Sequence, residues 1–332
     1  VKKIYPQTLA VVLAVLSARA SALESIHYVI DTVRSNVTLG PDQNFWYATF
    51  AGIVRLTPDG QSVTFPISGD PEFNAVAFGA DGNIWTVSRY TNILYAITTS
   101  GAVAHMYPLS TDGFYAGIAE GSDGRMWIAS NDTSLTAVDT AGTATIYPAN
   151  GYIGDIVPGP DGNLWITADT QILRVAVSGS VTPFEMPDNG TTTGGVMVAG
   201  PDGNMWLSAN NSGCPFSPCI QFGSALVSVS VDGATTIYRA PDGNISSSLS
   251  MAFGADGNPW LMENRFNEAG QTFESVLLRM TSNGIFTAYR VDGFSGQMES
   301  DSDGNLWFGY GDQITKLIVP PDLVFFDGID AL

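Results

Sequence analysis

The sequence predicts an all-β fold: a seven-bladed β-propeller with four antiparallel strands per blade, its ring closed by the N-terminal strand. Three observations carry this expectation. A short phrase ending in tryptophan recurs seven times; each of the chain's seven tryptophans ends one copy; and successive copies stand 39, 42, 38, 41, 54 and 47 residues apart. A period near forty with turn and strand chemistry in every unit is the pattern of propeller blades.

The phrase is clearest as Ala80-Asp81-Gly82-Asn83-Ile84-Trp85, and it returns ending at Trp46, Trp127, Trp165, Trp206, Trp260 and Trp307. Asp-Gly-Asn between two apolar runs is hairpin chemistry, because glycine accepts positive φ and aspartate bonds the backbone just ahead. The tryptophan then opens a second strand and supplies a large apolar surface for packing blade on blade, so all seven read as core.

Taken in order, the run 26–30 falls where the outermost strand of a preceding blade belongs, and is assigned to blade seven. Closing the ring in this way removes exposed sheet edges. Blade one then reads as strands 35–39, 45–49, 53–56 and 63–65, the last two joined by the tight turn Thr57-Pro58-Asp59-Gly60. Later fourth strands are 104–107, 144–147, 183–186, 235–238 and 286–289. Nine residues before each tryptophan stands an apolar residue: Val37, Val76, Ile118, Ile156, Met197, Met251 and Met298. That alignment sets the innermost strand in one register throughout.

Two units are long. Blade five carries extra residues around 210–222 and blade six around 264–275. Both insertions follow a second strand, so both emerge on one face of the ring, where loops held by a rigid scaffold serve for binding. In the first, Cys214 and Cys219 flank Pro215-Phe216-Ser217-Pro218 and are expected to form a local disulfide.

The 332 residues carry a formal charge of -19, with 14% charged and 45% hydrophobic residues. So acidic a chain is repelled by nucleic acid and by anionic membranes, whereas cationic ligands and divalent ions remain compatible with it. Lys2 and Lys3, the apolar run 9–16 and Ala20-Ser21-Ala22 read as a signal peptide over 1–22. The propeller is assigned to 23–319 and a Pro-led tail to 320–332. No stretch is long and apolar enough to span a bilayer. The expectation is an exported monomer, secreted or periplasmic.

The Asp-Gly-Asn-x-Trp phrase, the Gly-rich inner strand and the following Thr-x-x-Gly turn resemble the streptogramin B lyase (virginiamycin B lyase) family, over about residues 33–319. The resemblance implies a seven-bladed propeller that opens a cyclic depsipeptide by elimination, with magnesium and a histidine base. Such chemistry needs a base for the proton α to a carbonyl and a cation for the charge that develops. It also implies histidines eleven residues before a blade tryptophan, and acids three residues after one. Here the eleven-before residues are Ser35, Asn74, Ala116, Gly154, Gly195, Leu249 and Gly296, none a histidine; of the three-after residues only Glu263 matches. The two histidines, His27 and His105, fall in predicted outer strands, far from the axis.

Candidate residues follow. Glu263 and Tyr310 are the candidate acid–base pair. Asn74, Arg89, Tyr90, Tyr115, Asn131 and Asp169 are candidate ligand contacts at the channel mouth. Asp155, Glu263 and Glu299, from three blades, are candidate oxygen ligands for magnesium or calcium. Two readings result: a propeller that binds a peptide, glycan or other small ligand at the inserted-loop face, or a metal-assisted lyase or hydrolase acting on cyclic depsipeptides or lactones with a rearranged site.

Overall fold

In a computed structural model the described residues are 23–69, 72–88, 90–110, 115–130, 133–149, 151, 153–168, 170–186, 196–209, 225–238, 250–267, 272–291 and 297–320. For residues 209, 263–267, 272–274, 290 and 310 only the backbone is described. Among these residues there is no helix, and twenty-eight strands form seven four-stranded antiparallel sheets arranged as a ring.

The N-terminal strand is β1 (Ser25–Val29). Blade 1 holds β2 (Thr38–Leu39), β3 (Phe45–Thr49), β4 (Gly52–Leu56) and β5 (Ser62–Pro66). Blade 2 holds β6 (Phe73–Phe78), β7 (Ile84–Ser88), β8 (Ile93–Ile97) and β9 (Val103–Pro108). Blade 3 holds β10 (Tyr115–Glu120), β11 (Met126–Ser130), β12 (Ser134–Val138) and β13 (Ala144–Pro148). Blade 4 holds β14 (Ile153–Pro158), β15 (Leu164–Ala168), β16 (Gln171–Val175) and β17 (Val181–Glu185). Blade 5 holds β18 (Met197–Ala199), β19 (Met205–Ala209), β20 (Ala225–Val229) and β21 (Thr235–Tyr238). Blade 6 holds β22 (Ser250–Phe253), β23 (Pro259–Asn267), β24 (Thr272–Met280) and β25 (Phe286–Val291). Blade 7 holds β26 (Met298–Ser300), β27 (Leu306–Tyr310) and β28 (Gln313–Leu317). Its outermost strand is β1, paired antiparallel with β28 in the register Ser25↔Leu317 to Val29↔Gln313.

The recurring phrase builds each inner hairpin. In blade 2 the Gly82 N–H donates to the Gly79 carbonyl and the Gly79 N–H to the Asn83 carbonyl, with Gly82 at φ 75°. This is a type I turn closed by one left-handed residue, the common three-residue hairpin loop. The aspartate completes it: Asp81 Oδ1 accepts from the Asn83 N–H and from Trp85 Nε1 at 3.0 Å, and Oδ2 from Asn83 Nδ2 at 2.8 Å. The tryptophan–aspartate bond recurs at 3.0–3.4 Å in the first six copies. Each indole therefore has its N–H satisfied at the sheet end while its ring is buried.

Every one of those rings stacks on an aromatic from the outer strand of the same blade. The pairs are Trp46–Phe65, Trp85–Tyr107, Trp127–Tyr147, Trp165–Phe184, Trp206–Tyr238 and Trp260–Tyr289, with centroids 5.0–5.9 Å apart. In blade 7 the partner of Trp307 is Tyr28 of β1, at 5.6 Å. The core is thus a ring of seven clusters, each uniting the tryptophan of one blade with the inner faces of the next. The last unites Trp307 with Val37, Phe45, Tyr47 and Leu56 of blade 1.

Two local departures from the sequence reading have physical causes. The inner strand of blade 1 is two residues long, not 35–39, because Ser35 Oγ accepts the Ala48 N–H at 2.8 Å and displaces the ladder there. The blade 6 insertion is strand, not loop. Pairing of β23 with β24 runs on through Arg265↔Glu274 and Phe266↔Phe273 to Asn267↔Thr272, beyond the neighbouring strands, which stop at Ser250↔Met262 and Ser275↔Val291. The extra residues form a two-stranded arm on the face where second strands end. The blade 5 insertion, with Cys214 and Cys219, lies outside the described residues.

Candidate functional site

The inner strands of all seven blades surround an axial cavity of about 590 Å³. Its wall is set by register. Residues ten and eight positions before six of the seven tryptophans contribute Asn36 and Thr38, Ala75 and Ala77, Gly117 and Ala119, Asp155 and Val157, Val196 and Val198, and Gln297 and Glu299, and blade 6 contributes Met251. The cavity reaches the hairpin end of these strands at Gly121, Ser122 and Gly159. Small and β-branched residues leave room at the axis, and the volume lies within the range of small-molecule pockets.

The strands begin irregularly. The ladder shifts register between Phe73 and Val76, between Tyr115 and Gly117, and between Ile153 and Asp155. Bulges of this kind re-aim side chains near working surfaces. The residues eleven before the tryptophan in these blades, Asn74, Ala116 and Gly154, fall at these shifts.

Polar side chains here tie one blade to the next. Asn36 accepts from the Val76 N–H at 2.7 Å and donates to the Val76 carbonyl at 2.8 Å. Asn74 Nδ2 donates to the Tyr115 carbonyl, while its Oδ1 is buried without a hydrogen-bond partner. Asp155 Oδ1 accepts from the Ile156 N–H at 2.9 Å and Oδ2 from the Met197 N–H of blade 5 at 3.4 Å. Burial nevertheless pushes Asp155 up to about 6, outweighing the hydrogen bonds from Met197 and Ile156 that act the other way. At the hairpin end, the Ala80 N–H donates to Glu120.

Glu299 is different. It lines the cavity opposite Trp307 in the ladder and has no hydrogen bond or ion pair to any described residue. Burial alone raises its carboxyl to about 7. Among the described residues no lysine, arginine or histidine lines the cavity.

The other sequence candidates are dispersed. Tyr115 does not reach the cavity: it is 2% exposed in the cluster between blades 2 and 3, and its hydroxyl donates to Asn92 Oδ1 at 3.3 Å. Its aromatic ring is worth more buried between sheets than at a wet mouth. Tyr90 lies in the turn after β7 and is 71% exposed. Glu263 and Tyr310 are placed by backbone, opposite Val276 in β24 and opposite Gln313 in β28, and their side chains lie outside the description. Arg89, Asn131 and Asp169 lie outside the described residues. Both histidines stand in outermost strands. His27 Nδ1 lies 3.0 Å from Thr315 Oγ1 in β28, and the His105 ring stacks on Tyr107.

The oxygens described do not fit a divalent cation. Asp155 is spent on backbone N–H groups, and it sits two ladder positions from the level of Glu299, about 7 Å along the axis. Among the described residues no group of three or more His, Cys, Asp and Glu could hold a metal. Sequence reasoning missed Asn36, Thr38 and Gln297. The signal for them was available: they share the register of Asp155 or Glu299, ten and eight residues before a tryptophan, whereas attention rested on the positions eleven before and three after.

No protein-family model matches the chain, and no curated protein matches it. Solved structures do. The chain is similar to virginiamycin B lyase from Staphylococcus aureus, at 21% identity and a TM-score of 0.73, covering 90% of this chain and 100% of that one. It is similar to a streptogramin B lyase at 20% identity and a TM-score of 0.73, covering 89% and 97%. The extracellular domain of a hybrid two component system from B. thetaiotaomicron aligns at 17% identity and a TM-score of 0.60, over 87% of this chain and 40% of that one. What is held in common at these identities is the seven-bladed ring itself, and the fold is that of these lyases.

Proposed function

We propose that this chain is an exported β-propeller that binds a peptide, glycan or other small ligand at the inserted-loop face of its central channel. The observation that carries the reading is the cavity of about 590 Å³ walled by all seven inner strands. Its wall combines apolar surface with a few amide and carboxyl groups, the usual make-up of a ligand pocket. The paired arm of blade 6 follows a second strand and extends the surface available to a ligand on that face. The extracellular-domain neighbour and the signal-like residues 1–22 support export, and residues 320–332 are treated as a tail outside the propeller.

The lyase reading lacks its base: neither His27 nor His105 belongs to an inner strand. Fold likeness does not supply one. Two measurements separate the readings. Incubation with magnesium and quinupristin, followed by chromatography and mass, is expected to return the cyclic depsipeptide unchanged; a ring-opened product of the same mass is elimination and establishes the lyase. Peptide and glycan arrays are then probed with the wild-type protein and with Thr38→Trp, which fills the channel from a position outside the inter-blade clusters. Binding lost in Thr38→Trp supports the channel, and equal binding by both proteins removes it from the account.

A further inference from the structure

We infer that the axial channel is selective for small organic cations, molecules with one protonated amine on a compact apolar body, and that Glu299 receives the amine. The inference rests on the channel being the ligand site and specifies the chemistry of its guest.

Three features of the wall converge on this class. The first is sign: among the described residues the charged side chains of the wall are Asp155, Glu299 and Glu120, all carboxylates. A low-dielectric cleft lined by one sign of charge concentrates ions of the other. The second is availability. Glu120 accepts from the Ala80 N–H and Asp155 from two backbone N–H groups, so Glu299 alone keeps both oxygens for a guest. A carboxylate half-buried in the channel with no protein partner bears part of its desolvation cost uncompensated, and a cation supplied by the ligand relieves it. The third is surroundings. Glu299 shares the cavity with Val157, Val198, Met298 and Phe78. A divalent ion needs several oxygen ligands together, and no such group occurs among the described residues; an alkylammonium needs one anion and apolar cover, which this wall has.

The proton balance follows. In the empty channel burial raises the carboxyl of Glu299 to about 7, so part of the population carries its proton near neutral pH. An arriving ammonium stabilises the ionised form, so the proton leaves to solvent as the ion pair forms. The heat of binding therefore depends on the ionisation enthalpy of the buffer.

The test uses the full propeller and a panel of probes: butylamine, hexylamine and cyclohexylamine, with butanol, hexanol and cyclohexanol as neutral isosteres. Binding is followed by ligand-observed NMR and calorimetry at neutral pH, in two buffers of different ionisation enthalpy. The expected result is that at least one amine binds, more than tenfold tighter than its alcohol, with proton release. Glu299→Gln abolishes that preference while unfolding in one cooperative transition no earlier than the wild type, and Glu299→Asp restores part of it. Alcohols binding as well as amines, in wild type and Glu299→Gln alike, overturns the cation inference and leaves the channel as an apolar site. No binding of any probe overturns both. Amine binding that survives Glu299→Gln undiminished moves the cation elsewhere and also contradicts the proposal.

Discussion

Asp301 shows how a single side chain can hold a repeat together after the repeat has drifted. In six copies the indole donates to the aspartate four residues before it; in the seventh, Trp307 Nε1 donates to Asp301 Oδ2 at 2.9 Å, six residues before. The other copies have glycine at that place, where a Cβ meets the indole ring or the turn aspartate below 3 Å. Asp301 also accepts from Asn305 and pairs with Lys316 Nζ at 3.2 Å. Burial alone would raise its carboxyl, but the hydrogen bonds from Trp307, Asn305 and Lys316 outweigh that and hold it below the usual range. Asp301→Ala is expected to lower unfolding stability by about 2 kcal/mol, while Asp303→Ala, at an exposed turn position, changes it by less than about 0.5 kcal/mol. Denaturant unfolding checks both; equal losses contradict the exchange of roles. In the first copy Gln43 occupies the glycine position at φ 61°. Gln43→Gly is expected to raise stability by about 1 kcal/mol in the same assay, because only glycine takes that conformation without strain.

At the scale of elements, the strands were legible because they repeat: the outer strand read as 235–238 is β21, and 45–49 is β3. What the sequence hid was whatever depends on long-range pairing. The pairing of 265–267 with 272–274 is an exception: it is local, but no Asn-Gly or Asp-Gly turn signal stands between the two runs to announce it. The channel wall was half-legible: Asp155, Glu299 and Asn74 were named as candidates, but Tyr115 was not recognised as core, because a bulge at Tyr115/Gly117 alters which way its side chain points. Replacing residues 265–274 by Asn-Gly is expected to leave the unfolding midpoint unchanged, since the described ones, 265–267 and 272–274, have ladder partners only in each other. A large loss of stability would mean that the arm packs on the ring. Tyr28→Ala, which removes the ring stacked on Trp307, is expected to cost about 2 kcal/mol by the same measurement.

At the scale of the molecule, the ring carries a formal charge of -19 and holds two groups of carboxylates whose titrations oppose each other. Asp81, Asp161, Asp256 and Asp301 lie below the usual range, so the unfolded chain binds more protons in that window and stability is lost as pH falls through their folded values. Asp155 at about 6 and Glu299 at about 7 lie above it, so the folded chain binds more protons there and stability falls as pH rises through those values. Among the described residues the charged groups that share the channel with Glu299 are Asp155 and Glu120, both carboxylates. Stability is therefore expected to peak near about pH 4–5 and to decline toward pH 7, with a shallower decline in Glu299→Gln; urea midpoints across the range check it. A wild-type midpoint that climbs steadily to pH 8 contradicts this picture of the channel.

The most direct measurement is a crystal structure after soaking with para-bromobenzylamine, whose bromine marks its position by anomalous scattering. The account predicts a bromine peak inside the ring, with the amine within hydrogen-bond distance of Glu299. A peak confined to the outer strands or the rim, with only ordered water along the axis, would contradict it.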